Sequence, residues 1–576
     1  MKKILLLFIC TLIIPTWLLA DVDLKTGDFH TNYKDIDYSA LSGIILERNF
    51  NSASVTTGLF GYGWTSPYET KIYPIGDGNI LIKEVGSTCQ SCIENGSGNS
   101  SIFIKEKGFF ELFFLPVQAD QSKIDNAISQ IVQMLIRDKK IENTPLEIAK
   151  KKRELSASMS QRAALWITYL EKGWLSNTAI ADGKKWYSSN GELQNIEFKN
   201  DFFIRNYNNK SVERFNAKGV LLDKHDDKGK LVYQVIYVDE KINQIIDGMG
   251  HTFNFKLNDK GLVSAIKTKN EQVTFDYDDK NALIKSVGTD KQTRKYIYDV
   301  NKKMIGIEFG DIKTKVEYDP RNGRVISVTD SDGPGSVSTK KYTYNKILKD
   351  DGSVDPNKFI TITTLKNYDD AEVENSNQFE LKEILGRPYT YKTIVNKNGI
   401  KTETVFTECG CGPLSITRGT RYASFKYDGK SRMIEKEGRD YLLKATYNEE
   451  FDKITRIERK EKSSGNVEVT DFSYTEFGDV SKVQSKTIAV ELSYNDDRKI
   501  SKMISDQSIL TFVYNKIGKP IEINMENVGS INVKYDEKGE IEKVESSAGH
   551  QMALKVTQAF QNLLTVIKPE GFNYNL

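Results

Sequence analysis

The sequence predicts a mainly β protein in which hairpins form one long sheet, with an α-helical hairpin inserted before them. One observation is a recurring pair, an aromatic or apolar residue followed by Asp or Asn, at steps of 20 or 21 residues. Another is the alternation of apolar and polar residues on either side of these pairs, and the third is a change to helical spacing between about residues 118 and 176. A period near 20 residues is typical of repeat proteins, whose units bury their apolar faces only against neighbouring units.

The recurring pair occurs in two clear runs, one in the middle of the chain and one near its end. Within each run the spacing is regular, which indicates that one structural unit is copied several times. The pairs are Leu257-Asn258, Tyr277-Asp278, Tyr298-Asp299 and Tyr318-Asp319, then Tyr474-Thr475, in which Thr replaces the Asp or Asn, Tyr494-Asn495, Tyr514-Asn515 and Tyr535-Asp536.

Each unit reads as a two-stranded hairpin. Residues 531–535 alternate apolar and polar side chains, as expected of a half-buried strand. Residues 536–539 supply a turn that starts with Asp and ends with Gly, and alternation resumes at 540–544. Because a single hairpin is marginal in water, we expect the hairpins to join edge to edge and to bury the repeat tyrosines on one common face.

The Tyr-Asp hairpin resembles the YD repeat of the Rhs/YD-repeat family, as in residues 318–325, Tyr-Asp-Pro-Arg-Asn-Gly-Arg-Val. Three blocks near the start, residues 22–29, 47–52 and 58–64, are similar to the domain that opens Rhs proteins. The resemblance implies a sheet that spirals into a hollow shell, often around a C-terminal toxin. Only about forty residues follow the last clear repeat, and the family's self-cleavage motif is absent near the chain's end. We therefore expect a partial Rhs-type shell, or curved ribbon, without a toxin domain.

The first twenty residues have the pattern of a cleaved signal peptide. Lys2 and Lys3 precede an almost wholly apolar run, and Ala20 is suited to cleavage before Asp21. The run is short for a transmembrane helix, so we expect an exported protein with no membrane span after cleavage. Without Lys2 and Lys3 the formal charge falls from +2 to zero, with acids and bases interleaved. That balance argues against nucleic acid as a partner.

Residues 118–176 are predicted to form two helices. Apolar residues from Ile124 to Leu135 fall at helical spacing, and Thr144-Pro145 followed by Glu147 is a helix-start signal. The second helix is expected to run to about Gly173. The pair is predicted to cap the open edge of the sheet, with a docking role as the alternative.

The stretch from Lys346 to Thr407 carries only weak Tyr-Asp signals. Residues 350–353 and 372–377 are rich in Asp, Asn, Ser, Gly and Glu, and they are predicted to be surface loops. Variable loops of this kind, or the helical insert, are the expected carriers of any specific partner site.

Four cysteines remain after signal cleavage, in two close pairs: Cys89 with Cys92, and Cys409 with Cys411. In an exported protein they predict two disulfides, with the pairing open. A single structural zinc site with four thiolates is the second alternative, and a redox Cys-x-x-Cys is the third. No other metal or cofactor is predicted.

No catalytic constellation is evident. The four histidines lack metal-ligand spacing, and nucleophile elbows, phosphate loops and dinucleotide fingerprints are absent. His225 lies among Asp223, Asp226 and Asp227, which a hairpin turn explains, and the Asp330 to Gly333 segment lacks the remaining ligands of a calcium loop.

The leading hypothesis is an exported, non-enzymatic scaffold, shell or binding protein at the cell envelope or surface. It would contact protein or carbohydrate there, or enclose another polypeptide. One alternative is a toxin-delivery or encapsulation component whose cargo is a separate chain; another is a carbohydrate-binding or carbohydrate-acting surface protein. The predicted segments are a signal peptide (1–20), an opening β domain (21–117), a helical hairpin (118–176), the repeat array (177–549) and a C-terminal tail (550–576).

Overall fold

The computed structural model describes residues 21–576 except 40–43, 86–108, 178, 189–193, 334–335, 368–370, 385–386, 409–411, 488, 506–507, 537–538, 548 and 567–571. Strands hold 54% of the residues and helices 12%, so the predicted mainly β class is confirmed. The predicted signal peptide, residues 1–20, lies outside the described residues.

The opening segment forms a small antiparallel sheet. Burial alternates strictly along one of its strands, Ile44–Asn51, as the period-two pattern of its sequence requires. The sheet consists of β1 (Asp21–Val22), β2 (Phe29–Tyr38), β3 (Ile44–Asn51) and β6 (Trp64–Thr65), beside a hairpin of β4 (Thr57–Gly58) and β5 (Gly61–Tyr62) and a 3₁₀ turn, Pro67–Glu69.

The rest of the β structure is one 36-strand antiparallel sheet in which each strand pairs with the next along the chain. Its first part comprises β7 (Lys71–Pro74), β8 (Ile80–Val85), β9 (Phe109–Leu115), β10 (Lys185–Ser188), β11 (Asn195–Lys199), β12 (Phe202–Asn206), β13 (Val212–Asn216), β14 (Leu221–His225), β15 (Leu231–Val238), β16 (Lys241–Asp247), β17 (Thr252–Leu257), β18 (Val263–Lys267), β19 (Gln272–Tyr277), β20 (Leu283–Val287), β21 (Thr293–Tyr298), β22 (Met304–Phe309), β23 (Ile312–Tyr318) and β24 (Val325–Asp332). Its second part comprises β25 (Val337–Leu348), β26 (Val354–Lys366), β27 (Glu372–Ile384), β28 (Arg387–Lys397), β29 (Ile400–Phe406), β30 (Pro413–Arg418), β31 (Arg421–Tyr427), β32 (Met433–Gly438), β33 (Tyr441–Tyr447), β34 (Ile454–Glu461), β35 (Val467–Tyr474), β36 (Val480–Gln484), β37 (Ala489–Tyr494), β38 (Ile500–Ser505), β39 (Ser508–Tyr514), β40 (Pro520–Met525), β41 (Gly529–Tyr535) and β42 (Ile541–Ser546).

The two ends of this sheet differ. The edge of β7 is covered by the chain itself, because the Ile72 N–H donates to the Gly219 carbonyl at 2.8 Å and Lys71 bridges Val220. Gly219 has φ +76°, and a Cβ there would lie 1.9 Å from the Ile72 oxygen, so only glycine fits. At the other end, β42 pairs with β41, and its Ile541 and Val544 side chains are exposed.

The stretch from Lys346 to Thr407, where the repeat signal is weak, contains the longest strands of the sheet. β26 and β27 have 13 residues each, whereas most repeat strands have five to eight. The prediction of a surface loop at 372–377 was wrong, because these residues begin β27 and pair with β26 from Lys366 to Thr361. Strand pairing overrode their turn-forming composition.

The inserted helical segment contains three helices rather than the two predicted: α1 (Gln121–Arg137), α2 (Pro145–Ala157) and α3 (Met159–Glu171). Thr144 caps α2 as expected, its hydroxyl accepting from the Glu147 N–H. Ser158, in extended conformation, ends α2 and caps α3, which divides the second predicted helix.

These helices do not cover a sheet edge. They pack on the face of β7–β9 that carries Tyr73, Leu81 and Phe113. A fourth helix, α4 (His550–Val566), lies in the segment predicted as a C-terminal tail. No helix lies within the described residues of 177–549, as the sequence predicted.

Candidate functional site

Each repeat tyrosine is held by the same local geometry. A β-bulge lies directly before Tyr277, and the Tyr277 hydroxyl donates to the Val263 carbonyl (2.7 Å) at the start of the preceding strand. The Asp278 carboxylate accepts from the Lys280 and Ala282 N–H groups and holds the turn. The tyrosine thus ties each hairpin to the previous one, while the aspartate closes its own turn.

This arrangement recurs along the sheet and defines what we call the tyrosine face. The hydroxyls that donate in this way are those of Tyr277, Tyr298, Tyr318, Tyr344, Tyr427, Tyr447, Tyr474, Tyr494, Tyr514 and Tyr535. The rings pack against apolar core clusters and are half-buried rather than fully buried. Burial raises the pKa of the Tyr494 hydroxyl to about 12, which keeps it protonated as a donor.

The opening sheet covers the first part of the tyrosine face, and Arg48 of β3 is its central contact. The fully buried guanidinium donates from Nε to Asp35 (2.9 Å) and from Nη2 to Tyr296 (2.8 Å) and Ser286 (3.1 Å). It lies 4.6 Å from the ring centroids of both Tyr33 and Trp64. Two charges have been removed from water here, and each depends on the other.

The electrostatics of this contact follow from its burial. Burial raises the pKa of the Asp35 carboxyl, and the neighbouring Arg48 opposes that rise. The coulombic attraction of Asp35 raises the pKa of Arg48 above its usual range, although burial acts in the opposite direction. Trp64 adds a bond from its indole nitrogen to the Tyr298 hydroxyl at 3.0 Å. The opening sheet is therefore fixed to the repeat tyrosines by charged and aromatic contacts.

The end of the chain covers the last part of the same face. Met552 and Val556 of α4 pack in a cluster with Leu510 and Ile531, and Phe560 packs on Phe512 at 5.4 Å. Farther back along the sheet, residues 572–576 lie over β30–β35. Phe572 joins the cluster around Phe472, and Tyr574 contacts Phe425 edge-on at 5.4 Å.

Turns of early repeats contact turns of late repeats, and we call this contact the seam. Lys230, after β14, pairs with Asp497 before β38 at 2.7 Å. Lys228 donates to the carbonyls of Asp497 and Arg498, and Lys210 lies 4.7 Å from the Phe451 ring centroid. The sheet therefore turns back on itself, bringing hairpins that are about 270 residues apart into contact.

The predicted cysteine site lies outside the described residues, since Cys89, Cys92, Cys409 and Cys411 all fall in the omitted ranges. Disulfides or zinc there stay a prediction. Among the described residues, no group of three or more His, Cys, Asp or Glu is placed to hold a metal ion. Asp223 instead receives two bonds from Arg214, with His225 Nδ1 at 3.3 Å, which makes it part of strand pairing.

Comparisons with known proteins match both ends of this architecture. The family profile described as Teneurin YD-shell matches residues 416–576, which contain the second run of tyrosines. A second profile, described as a domain of unknown function (DUF6531), matches residues 20–90.

The two matched regions and the repeats between them are those of an Rhs/YD-repeat protein.

Solved structures similar to this YD-repeat protein include the Photorhabdus luminescens Tc holotoxin pore, at 10% identity and TM-score 0.35, covering 91% of this chain and 29% of that one. A TcdB2–TccC3 complex without its hypervariable C-terminal region matches at 9% identity and TM-score 0.25, covering 90% and 35%. The YD-repeat chain thus spans about a third of the length of these neighbours. No curated protein sequence matches it.

The family and the fold together support an Rhs-type shell component. Within the described residues, no helix is both long and apolar enough to cross a bilayer. Sequence reasoning missed the buried Arg48 contact and the docking of residues 572–576. The alternation of Phe572, Tyr574 and Leu576 was the available signal for the second of these.

Proposed function

We propose that this YD-repeat protein is an exported, non-enzymatic shell whose tyrosine face holds polypeptide. The observation that carries the proposal is that three separate non-repeat segments of the chain already lie on that face: the opening sheet, α4, and residues 572–576. Each docks through apolar and aromatic side chains, which are the residues that dominate polypeptide recognition. The face therefore accepts protein segments of different secondary structure.

The polar groups of the repeats support a structural role. The aspartates that follow the repeat tyrosines accept hydrogen bonds from backbone N–H groups of their own turns. Asp278, Asp299 and Asp319 are examples. A carboxylate occupied in this way stabilises its turn and is poorly placed to transfer protons to a substrate. The non-enzymatic reading rests on this use of the acidic residues.

The seam supports enclosure rather than a flat ribbon. Contacts between turns far apart in sequence require the sheet to curve, and a curved sheet has a sheltered side. The inferred partner is a separate polypeptide held on that side.

Protease protection tests the proposal. The protein is purified from the envelope and medium fractions of its native host, and the preparation is treated with protease before and after denaturation. We expect a second polypeptide that survives only before denaturation, and a mature N-terminus at Asp21. Finding no protected second polypeptide in either fraction would contradict the shell function.

A seam variant sharpens the test. Lys228→Glu with Lys230→Glu places two acids beside Asp497 and Asp227, so the seam should open by charge repulsion and the partner should become cleavable. Lys218→Glu is the matched control, because Lys218 forms an exposed pair with Glu240 away from the seam. Equal protection in both variants would show that the seam does not enclose the partner.

A further inference from the structure

Residues 572–576, Phe-Asn-Tyr-Asn-Leu, lie on the tyrosine face with an alternating pattern. Phe572, Tyr574 and Leu576 pack against the sheet, and Asn575 between them is exposed. These residues form no strand or helix, whereas the strands beneath them, β30–β35, are already paired on both sides. The segment is therefore seated by its side chains rather than by joining the sheet as a strand.

The apolar contacts form three successive subsites. Phe572 is 8% exposed and lies in a cluster with Leu443, Ile457 and Phe472. Tyr574 meets the Phe425 ring at an interplanar angle of 74°, the edge-on geometry that aromatic pairs prefer. Leu576 packs against the small cluster of Ile416, Ala423 and Phe425. We call this set of subsites the terminal groove.

Glycine at the middle subsite makes room for an aromatic side chain. A Cβ at Gly412 would lie 2.9 Å from the Tyr574 hydroxyl oxygen and 2.5 Å from that of Tyr427. Any larger residue at Gly412 would therefore press on both hydroxyls. The backbone at this position is shaped to admit the tyrosine.

A buried lysine supplies the polar contact. Lys436 of β32 is 1% exposed, on the same face as Phe425, with which it pairs across the strands. Its ammonium donates to Asn573 Oδ1 at 3.3 Å, and that oxygen also accepts the Asn575 N–H. A charged group on an apolar face is costly, so an amide oxygen at this point compensates part of its desolvation.

We propose that the terminal groove is a recognition site for extended polypeptide with the pattern aromatic-Asn-aromatic-x-aliphatic, and that residues 572–576 are the resident copy of that pattern. A segment of the enclosed partner with this pattern replaces the resident one. This inference rests on the proposed function and names the kind of partner. Its basis is the seated pentapeptide itself, which shows the side chains that each subsite accepts.

The test uses the full chain and a fluorescein-labelled peptide, Phe-Asn-Tyr-Asn-Leu. In the variant Phe572→Ala with Tyr574→Ala, the resident segment loses both aromatic anchors. Fluorescence polarisation is measured after direct mixing and again after refolding from urea with the peptide present, so that restricted access does not hide the site. Circular dichroism and thermal melting establish that each variant is folded.

We expect saturable binding to the double variant, at least tenfold tighter than to the wild type, whose groove is occupied. A peptide with both aromatics replaced by Ala should not bind. The matched control, Tyr422→Ala with Phe477→Ala, removes two exposed aromatics outside the groove and should behave as the wild type does.

Absence of peptide binding to the folded double variant in both arms would overturn the inference, as would equal binding to the wild type or to the control variant. The result is separable from the shell function. A protein that encloses no second polypeptide can still bind this peptide, and a shell can enclose a partner without using the terminal groove.

Discussion

Replacing Arg48 should weaken the contact between the opening sheet and the repeat sheet. Arg48→Met keeps much of the side-chain volume between Tyr33 and Trp64 but removes the charge. It leaves the Asp35 carboxylate, whose side chain is 6% exposed, without its cation. Breaking a buried ion pair by removing one partner costs about 3–5 kcal/mol, and we expect Arg48→Met to cost this much.

The double variant Asp35→Leu with Arg48→Met is the internal control. It removes both charges, and the two remaining polar partners, Ser286 and Tyr296, still bond to each other at 3.0 Å. Replacement of a whole buried pair by apolar residues is often close to neutral, so the double variant should cost less than about 2 kcal/mol. Its stability should therefore exceed that of either single variant.

Urea unfolding, followed by tryptophan fluorescence to which Trp64 beside Arg48 contributes, measures these differences. The pH dependence gives a second readout. Without Arg48 the pKa of Asp35 rises further, so the folded state holds its proton more tightly than the unfolded state does. The stability of Arg48→Met should therefore recover as the pH falls toward the unfolded carboxyl's value of 3.8. A single variant within about 1 kcal/mol of the wild type, or a double variant whose cost equals the sum of the two singles, would refute the reasoning.

Tyr514→Phe deletes the bond to the Ile500 carbonyl and should cost about 0.5–1.5 kcal/mol in urea unfolding; no change would show that the hydroxyl is not needed to join hairpins. Burial lowers the pKa of Lys436 to about 8, so the unfolded chain binds more protons and the melting temperature should rise as the pH increases from about 8 toward 10.5. Lys436→Met should flatten that rise, and an unchanged slope in the variant would contradict the assignment. Mass mapping of non-reduced peptides with metal analysis should find Cys89, Cys92, Cys409 and Cys411 oxidised or sharing zinc, and four free thiols without metal would exclude both structural alternatives.

The repeat could be predicted from sequence because its signals are local. The Tyr-Asp pairs, the alternation around them and the glycine turns each act within about 20 residues, so the spacing alone gave the hairpins and the class. Thr144 as a helix cap was readable for the same reason. Local composition misled where pairing dominated, as at Glu372, where turn-forming residues lie inside a long strand.

What lies on the tyrosine face was decided by contacts between distant segments. Arg48 and Tyr296 are 248 residues apart, and Asn573 and Lys436 are 137 apart. Arg48 falls on the same side of its strand as Ile44, Leu46 and Phe50, but the local sequence does not show which distant residues accept its bonds. Burial and pairing depend on how the sheet curves, and that curvature accumulates over its 36 strands. The sequence by itself determined the repeating unit, because each unit is stabilised by its neighbours in the chain. Only the folded sheet decided which segments lie on the tyrosine face, because those contacts join residues hundreds of positions apart.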